Sequence, residues 1–253
     1  MNAPIPSPVQ ASIRLLSLNI QCGIGMTRGF WQYATSGWKY ALPHSHAPLR
    51  RLAKWITEQS IDVATFCEVE SVSLRSGGAD MAAMIAELTP LKHARYFSAH
   101  RVGCFINQGN AILTRYPILA SASHRLPGAG EPRILCEAEL ETASGRVSVY
   151  TTHLSLSRNA RREQFDAIAA RLSACKNRCV LTGDFNTSNP EELTALSVCM
   201  RSAGAVRTFP SWNPTEQIDY GFVSAGVIVR GIRALDEIKV SDHLGVLMEL
   251  TLN

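Results

Sequence analysis

The sequence predicts an α+β chain in which sheets pack on one another with helices outside. Strand-like apolar runs recur along nearly its whole length, and only a few helical segments flank them. Many runs alternate by twos, the pattern of largely antiparallel or mixed sheets. No repeat, low-complexity block or linker interrupts the order, so one domain is expected over residues 13–253 behind a Pro-rich tail at 1–12.

Taken in order, residues 13–20 form an apolar strand that meets Asn19 near its end. A long connection follows, with Trp31, Tyr33, Trp38 and Tyr40 set among Arg28, Lys39, Arg50 and Arg51. Long loops beside a site are often lids or substrate readers. These aromatics could stack on bases with the cations near phosphates, dock at a lipid headgroup surface, or cover a sheet edge. Helical periodicity marks 48–58, a strand 61–68 ending in Glu68, a second helix 80–88 and a short strand 111–114. In the run 134–140, Ile134, Cys136, Ala138 and Leu140 alternate with Glu137 and Glu139. The strand 147–154 reaches His153, and in 160–172 Phe165, Ile168, Ala169 and Leu172 form one helical stripe. The strand 179–182 runs into "GDFN", after which Pro190, Glu191 and Glu192 open a short helix in the positions that suit its dipole. Strands at 218–223, 227–232 and 244–251 complete the chain.

Composition narrows the function. At 253 residues, 46% hydrophobic and 18% charged, the chain can bury a large core and is not disordered. A net charge of +4 admits anionic substrates, without the dense basic stripe of a dedicated nucleic-acid-binding domain. The seven cysteines are odd in number and scattered, which suits reduced core thiols; Cys175 and Cys179 lack a second pair at zinc-ligand spacing. The tail has neither a basic start nor an apolar core, and a cytoplasmic protein is expected.

Several strands end on a side chain able to touch a phosphate or a hard cation: Asn19, Glu68, His153, Asp184 with Asn186, Asp219, and Asp242 with His243. A carboxylate at a buried strand end is costly without a partner. Oxygen ligands of this kind suit Mg²⁺ or Mn²⁺. Asp219 and His243 could form a carboxylate–histidine pair that holds charge for a phosphoryl transition state.

The ordered set "LNI", "FCEVE", "GNAILTRYPI", "TTHL", "TGDFN", "IDYGFVS" and "SDH" resembles the endonuclease/exonuclease/phosphatase superfamily over nearly the whole chain. The resemblance implies a four-layer αββα sandwich of two mainly antiparallel or mixed sheets, with the site at one sheet end. It implies Mg²⁺ (or Mn²⁺) held by Glu68, Asn19 and Asp242. It also implies that Asp184 activates water, Asn186 positions the phosphate, His153 and His243 stabilise charge, and Asp219 holds His243. Arg75 follows Glu68 in a run similar to bacterial members, where it either faces the phosphate or is a solvated loop arginine; Asn110 is a second phosphate-side candidate. Gln21 stands where exonuclease III relatives carry Asp, and Cys67 where many carry Gln, so a second metal does not follow. The expected activity is that of a Mg²⁺-dependent nuclease or phosphodiesterase. Alternatives are a phospholipid or inositol-phosphate phosphoesterase and, in another class, an inactive phosphate-binding module.

Overall fold

The computed structural model describes residues 12–253. The tail expected at 1–12 lies outside the described residues except for Ser12, which opens the first strand. Twelve strands are described: β1 (Ser12–Asn19), β2 (Val63–Glu70), β3 (His93–Val102), β4 (Ile106–Thr114), β5 (Ile118–Arg125), β6 (Ile134–Thr142), β7 (Gly145–His153), β8 (Arg178–Asp184), β9 (Arg201–Ser202), β10 (Asp219–Val223), β11 (Val227–Leu235) and β12 (Gly245–Leu252). They form two six-stranded sheets, ordered β11-β12-β1-β2-β4-β3 and β5-β6-β7-β8-β10-β9. The helices are α1 (Trp31–Ser36), α2 (Ala47–Glu58), α3 (Met81–Leu88) and α4 (Arg158–Ser173), joined by a 3-10 helix over Pro190–Val198.

The alternation of the strands builds four layers. In β1, Ile13 and Leu15 face the second sheet, whereas Leu16 and Leu18 face α2 and α3. In β8, Val180 faces the first sheet, whereas Cys179 and Leu181 pack with Phe165 and Ile168 of α4. Each such side chain contributes about 1.5–3 kcal/mol on burial. A slip of one residue would turn every member of a strand to the opposite layer, so the pattern selects the register.

Near the centre of each sheet lies one parallel pair, β1 with β2 and β7 with β8, while the other pairings are antiparallel. Parallel neighbours need a crossover, which α2 and α4 supply. Both pairs end at the same rim, where Asn19 at the end of β1 donates to Asp184 at the end of β8 at 3.0 Å. Just below it the sheets are tied together by Thr65 Oγ1 to Thr182 Oγ1 at 2.8 Å and by the Cys67 thiol donating to the Thr152 carbonyl.

Three strands were not legible in the sequence, β3, β5 and the two-residue β9. All three are edge strands with largely exposed or half-buried side chains, so the apolar alternation that marks inner strands is weak in them. The long connection after β1 is not a plain loop. It holds α1 and a 3-10 turn, Gly37–Tyr40. Asn189 caps the 3-10 helix by accepting from the Glu191 N–H at 3.0 Å, with Pro190 in the first turn as expected.

Candidate active site

The inner-facing positions of the central strands turn from apolar to polar as they approach one rim. β1 runs Ile13, Leu15, Ser17, Asn19; β7 runs Val147, Val149, Thr151, His153; β8 runs Val180, Thr182, Asp184. Asp219 opens β10 opposite Asp184, and Asn110 lies on β4. The same period of two that buries the core thus delivers Asn19, His153, Asp184, Asp219 and Asn110 into the gap between the sheets.

Glu68 breaks this period and needs a device to join them. It follows the inward-facing Cys67 and would by parity point to the helices. The β2–β4 register shifts between Phe66 and Val69, and Glu68 adopts φ of +53°. This bulge turns the side chain toward the rim, where Oε1 accepts from Asn19 Nδ2 at 2.9 Å. Bulges commonly re-aim a side chain beside a site.

Asp184 is the hub. Its Oδ2 accepts from Asn19 Nδ2 at 3.0 Å and faces His153 Nε2 at 3.5 Å and His243 Nε2 at 3.7 Å; its Oδ1 accepts the Asn186 backbone N–H at 3.0 Å. Asn186 itself sits at φ +52° and donates its side-chain amide to the Leu154 carbonyl at 2.9 Å. Asp219 Oδ2 lies 2.9 Å from His243 Nδ1 and also accepts from Thr208 Oγ1 at 2.5 Å. The Phe209 ring stands 5.0 Å from that of His243. Asp242 Oδ1 accepts from Ser241 Oγ at 3.0 Å, and its Oδ2 accepts from the Tyr33 hydroxyl.

The two histidines differ in charge. Burial opposes protonation of His243, but Asp219 and Asp184, assisted by Asp242, outweigh it and hold the imidazole well above its ordinary pKa. His153, equally enclosed, is held well below by burial, by Arg133 and by His243 itself. One ring is therefore a cation at neutral pH and the other neutral. Burial, then the charge of Asp242, pushes Glu68 up to about 7. Burial likewise raises Asp184 to about 6, against the pull of His243.

The donor set fits a hard divalent cation. Glu68, Asp184 and Asp242 stand close enough to raise Glu68, and the bridge between Glu68 and Asp184 is the amide of Asn19. Oxygen-rich clusters with surplus negative charge suit Mg²⁺-like ions. A second group, Asp184, Asp219 and His243, brings one possible ligand atom from each within 4.8 Å of the others. There the Asp219–His243 hydrogen bond and the raised imidazole pKa favour a charged pair over a metal ligand.

The arginine nominated by the sequence is occupied elsewhere. Arg75 is buried and donates through Nε to Glu70 Oε2 at 2.9 Å and through Nη2 to Gln108 Oε1 at 3.0 Å, while Glu70 Oε1 also accepts the Asn107 N–H. Facing the cleft instead is Arg133, which together with Glu68, Asn110, Gln108, Glu131 and His153 lines it. Its side chain is only 10% exposed, its Nε has no hydrogen-bond partner, and its one ion pair is with Glu131 at 3.2 Å. Asn110 donates to the Cys136 sulfur at 3.7 Å. Arg133, Thr208 and Tyr33 all lie outside the strand-end pattern. Only the "EPR" just before β6 gave a local sign, a charge placed directly before an apolar run.

Residues 16–243 match the pattern of the "Endonuclease/Exonuclease/phosphatase family". No curated protein matches the chain. Among solved structures, an endonuclease/exonuclease/phosphatase from Beutenbergia cavernae DSM 12333 is 22% identical with a TM-score of 0.73, covering 96% of this chain and 72% of its own. A mannosyl-6-phosphatase from Bacteroides thetaiotaomicron VPI-5482 is 17% identical with a TM-score of 0.70, covering 95% of this chain and 100% of its own. D. rerio TDP2 complexed with a single-strand DNA product is 15% identical with a TM-score of 0.68, covering 95% and 99%. At these identities the likeness is one of fold, and it matches the four-layer arrangement described above. With the family pattern spanning nearly all of the chain, the protein belongs to the endonuclease/exonuclease/phosphatase family of phosphoester-hydrolysing enzymes.

Proposed function

We propose that the chain is a divalent-metal-dependent phosphodiesterase that cleaves by in-line attack of water. The observation that carries this reading is the hub at Asp184, a buried carboxylate with a charged imidazole on one side and a neutral one on the other. A binding module has no need of a proton acceptor beside an oriented cation; a hydrolase needs both.

Glu68, with Asn19 and Asp242, would hold Mg²⁺ or Mn²⁺. When bound, the ion supplies Lewis acidity to a phosphoryl oxygen and offsets the charge of the carboxylates. Asp184 takes the proton of the attacking water, and the Asn186 N–H that it accepts fixes the carboxylate for that task. His243, kept protonated by Asp219, faces the developing negative charge. His153 contributes as a neutral donor, and Asn110 and Arg133 bind non-bridging oxygens from the opposite wall. Little covalent chemistry is asked of the protein; positioning and electrostatics lower the barrier.

The test is release of nitrophenol from bis-p-nitrophenyl phosphate. It should require Mg²⁺ or Mn²⁺ and disappear with chelator; no turnover with any divalent ion would leave the binding-module reading. A panel of plasmid, single-stranded DNA, RNA and phospholipid then separates nuclease from lipid phosphodiesterase. Composition admits the nuclease, while the second reading draws on the apolar character of the rim.

A further inference from the structure

Most of the large apolar side chains left exposed among the described residues sit on loops at one end of the sandwich, the end that holds the site. The connection after β1 carries Phe30, Trp31 and Trp38, 62%, 58% and 52% exposed, and Leu42 beside them. The loop after β2 carries exposed Leu74, hydrogen-bonded through its N–H to the β3–β4 turn where Phe105 is also exposed. Leu156, 78% exposed, follows the end of β7 in the second sheet. Leu88, Leu119 and Val198 are the exposed exceptions that lie elsewhere. A soluble surface rarely gathers this much apolar area, and a gathered patch marks a contact site.

Two further observations say what the contact is with. Residues 20–57 contain no Asp or Glu, while Arg28, Lys39, Arg50 and Arg51 lie among or just after the aromatics, so the aromatic segment carries a surplus of positive charge. The segment is also fastened to the site: Tyr33 donates to Asp242, and Gln21 Nε2 donates to the Tyr40 hydroxyl at 2.9 Å.

We propose that this rim docks on an anionic lipid bilayer, which would bring the phosphoester of a lipid headgroup to the mouth of the site; the substrate clause rests on the hydrolase reading above. Trp and Phe at the headgroup boundary, with Lys and Arg beside them, form the usual interfacial arrangement. A single-stranded nucleic acid fits less well, because Leu42, Leu74 and Leu156 offer no flat face for a base to stack on. No helix among the described residues is long and apolar enough to cross a membrane.

The experiment is sedimentation of the full chain in chelator with vesicles of phosphatidylcholine, with and without phosphatidylglycerol, so that binding is read without turnover. Wild type should sediment with the anionic vesicles and be released by salt. The double variant Trp31→Ala/Trp38→Ala, and independently Leu156→Asp, should each bind on the order of tenfold more weakly. Hydrolysis of the soluble nitrophenyl diester should be unchanged in both, which also shows that they fold. Absence of vesicle binding by a wild type that still hydrolyses the soluble ester would overturn the docking and leave the hydrolase standing. Equal binding by both variants, selective displacement by a single-stranded oligonucleotide, or vesicle binding that appears only after removal of residues 1–11 would overturn it too.

Discussion

Asp219 Oδ2 holds His243 Nδ1 at 2.9 Å, and the far nitrogen of the same ring faces Asp184 Oδ2 at 3.7 Å. The imidazole is thus clamped between two carboxylates that keep it charged. If Asp219 acts through His243, Asp219→Asn should lower kcat by about 10²–10⁴ with little change in the metal concentration needed for half-activity. Adding it to His243→Ala should then cost little more than His243→Ala alone. A measured cycle in which the two losses multiply would assign them independent roles.

Asp184→Asn keeps the shape of the hub and removes its ability to take a proton. A loss of about 10²–10⁴ in kcat is expected with phosphate inhibition largely retained. Near-normal turnover would move the water-activating role elsewhere.

Glu68→Gln separates metal binding from folding. Burial and Asp242 hold the Glu68 pKa near 7, above its unfolded value, so in chelator the folded protein keeps a proton that the unfolded chain releases. Metal-free stability therefore falls as pH rises from the unfolded pKa through about 7, and the penalty is fully present above it. The variant should match wild type near pH 4 and melt higher than wild type at pH 8. It should also lose most activity and most of the thermal gain that Mg²⁺ gives wild type. A wild-type-like gain with Mg²⁺ would count against Glu68 as the principal ligand.

The two arginines should part company. Arg133→Ala removes a cation whose Nε is unpartnered, so the melting temperature should hardly move while kcat/KM falls about tenfold or more. Lys at the same position should restore only part, lacking the guanidinium fork. Arg75→Met instead breaks a buried pair with Glu70 and should destabilise by about 3–5 kcal/mol. An Arg75→Met protein of normal stability with a raised KM would return Arg75 to the phosphate.

The sequence by itself determined the layering and most of the polar side chains that meet between the sheets at one rim. A period of two in β1, β7 and β8 assigns one face to each neighbouring layer, and a polar residue that keeps this period at a strand end must lie between the sheets. Asn19, His153 and Asp184 were legible for that reason, as was the Asp219–His243 pair from its ordered motifs. Tertiary structure decided what local pattern cannot carry. Glu68 reaches the rim only because a bulge in the β2–β4 pairing reverses its parity, and pairing is a property of two strands. Arg75 and Arg133 look alike in sequence, yet Glu70 and Gln108 engage the first while the second lines the cleft, because guanidinium placement follows from which carboxylates the fold brings near. The edge strands β3 and β5 were silent because most of their side chains are exposed or half-buried, which leaves little apolar alternation to read. The exposed aromatics after β1 acquire meaning only beside Leu74, Phe105 and Leu156, side chains distant in sequence that strand pairing gathers around one mouth.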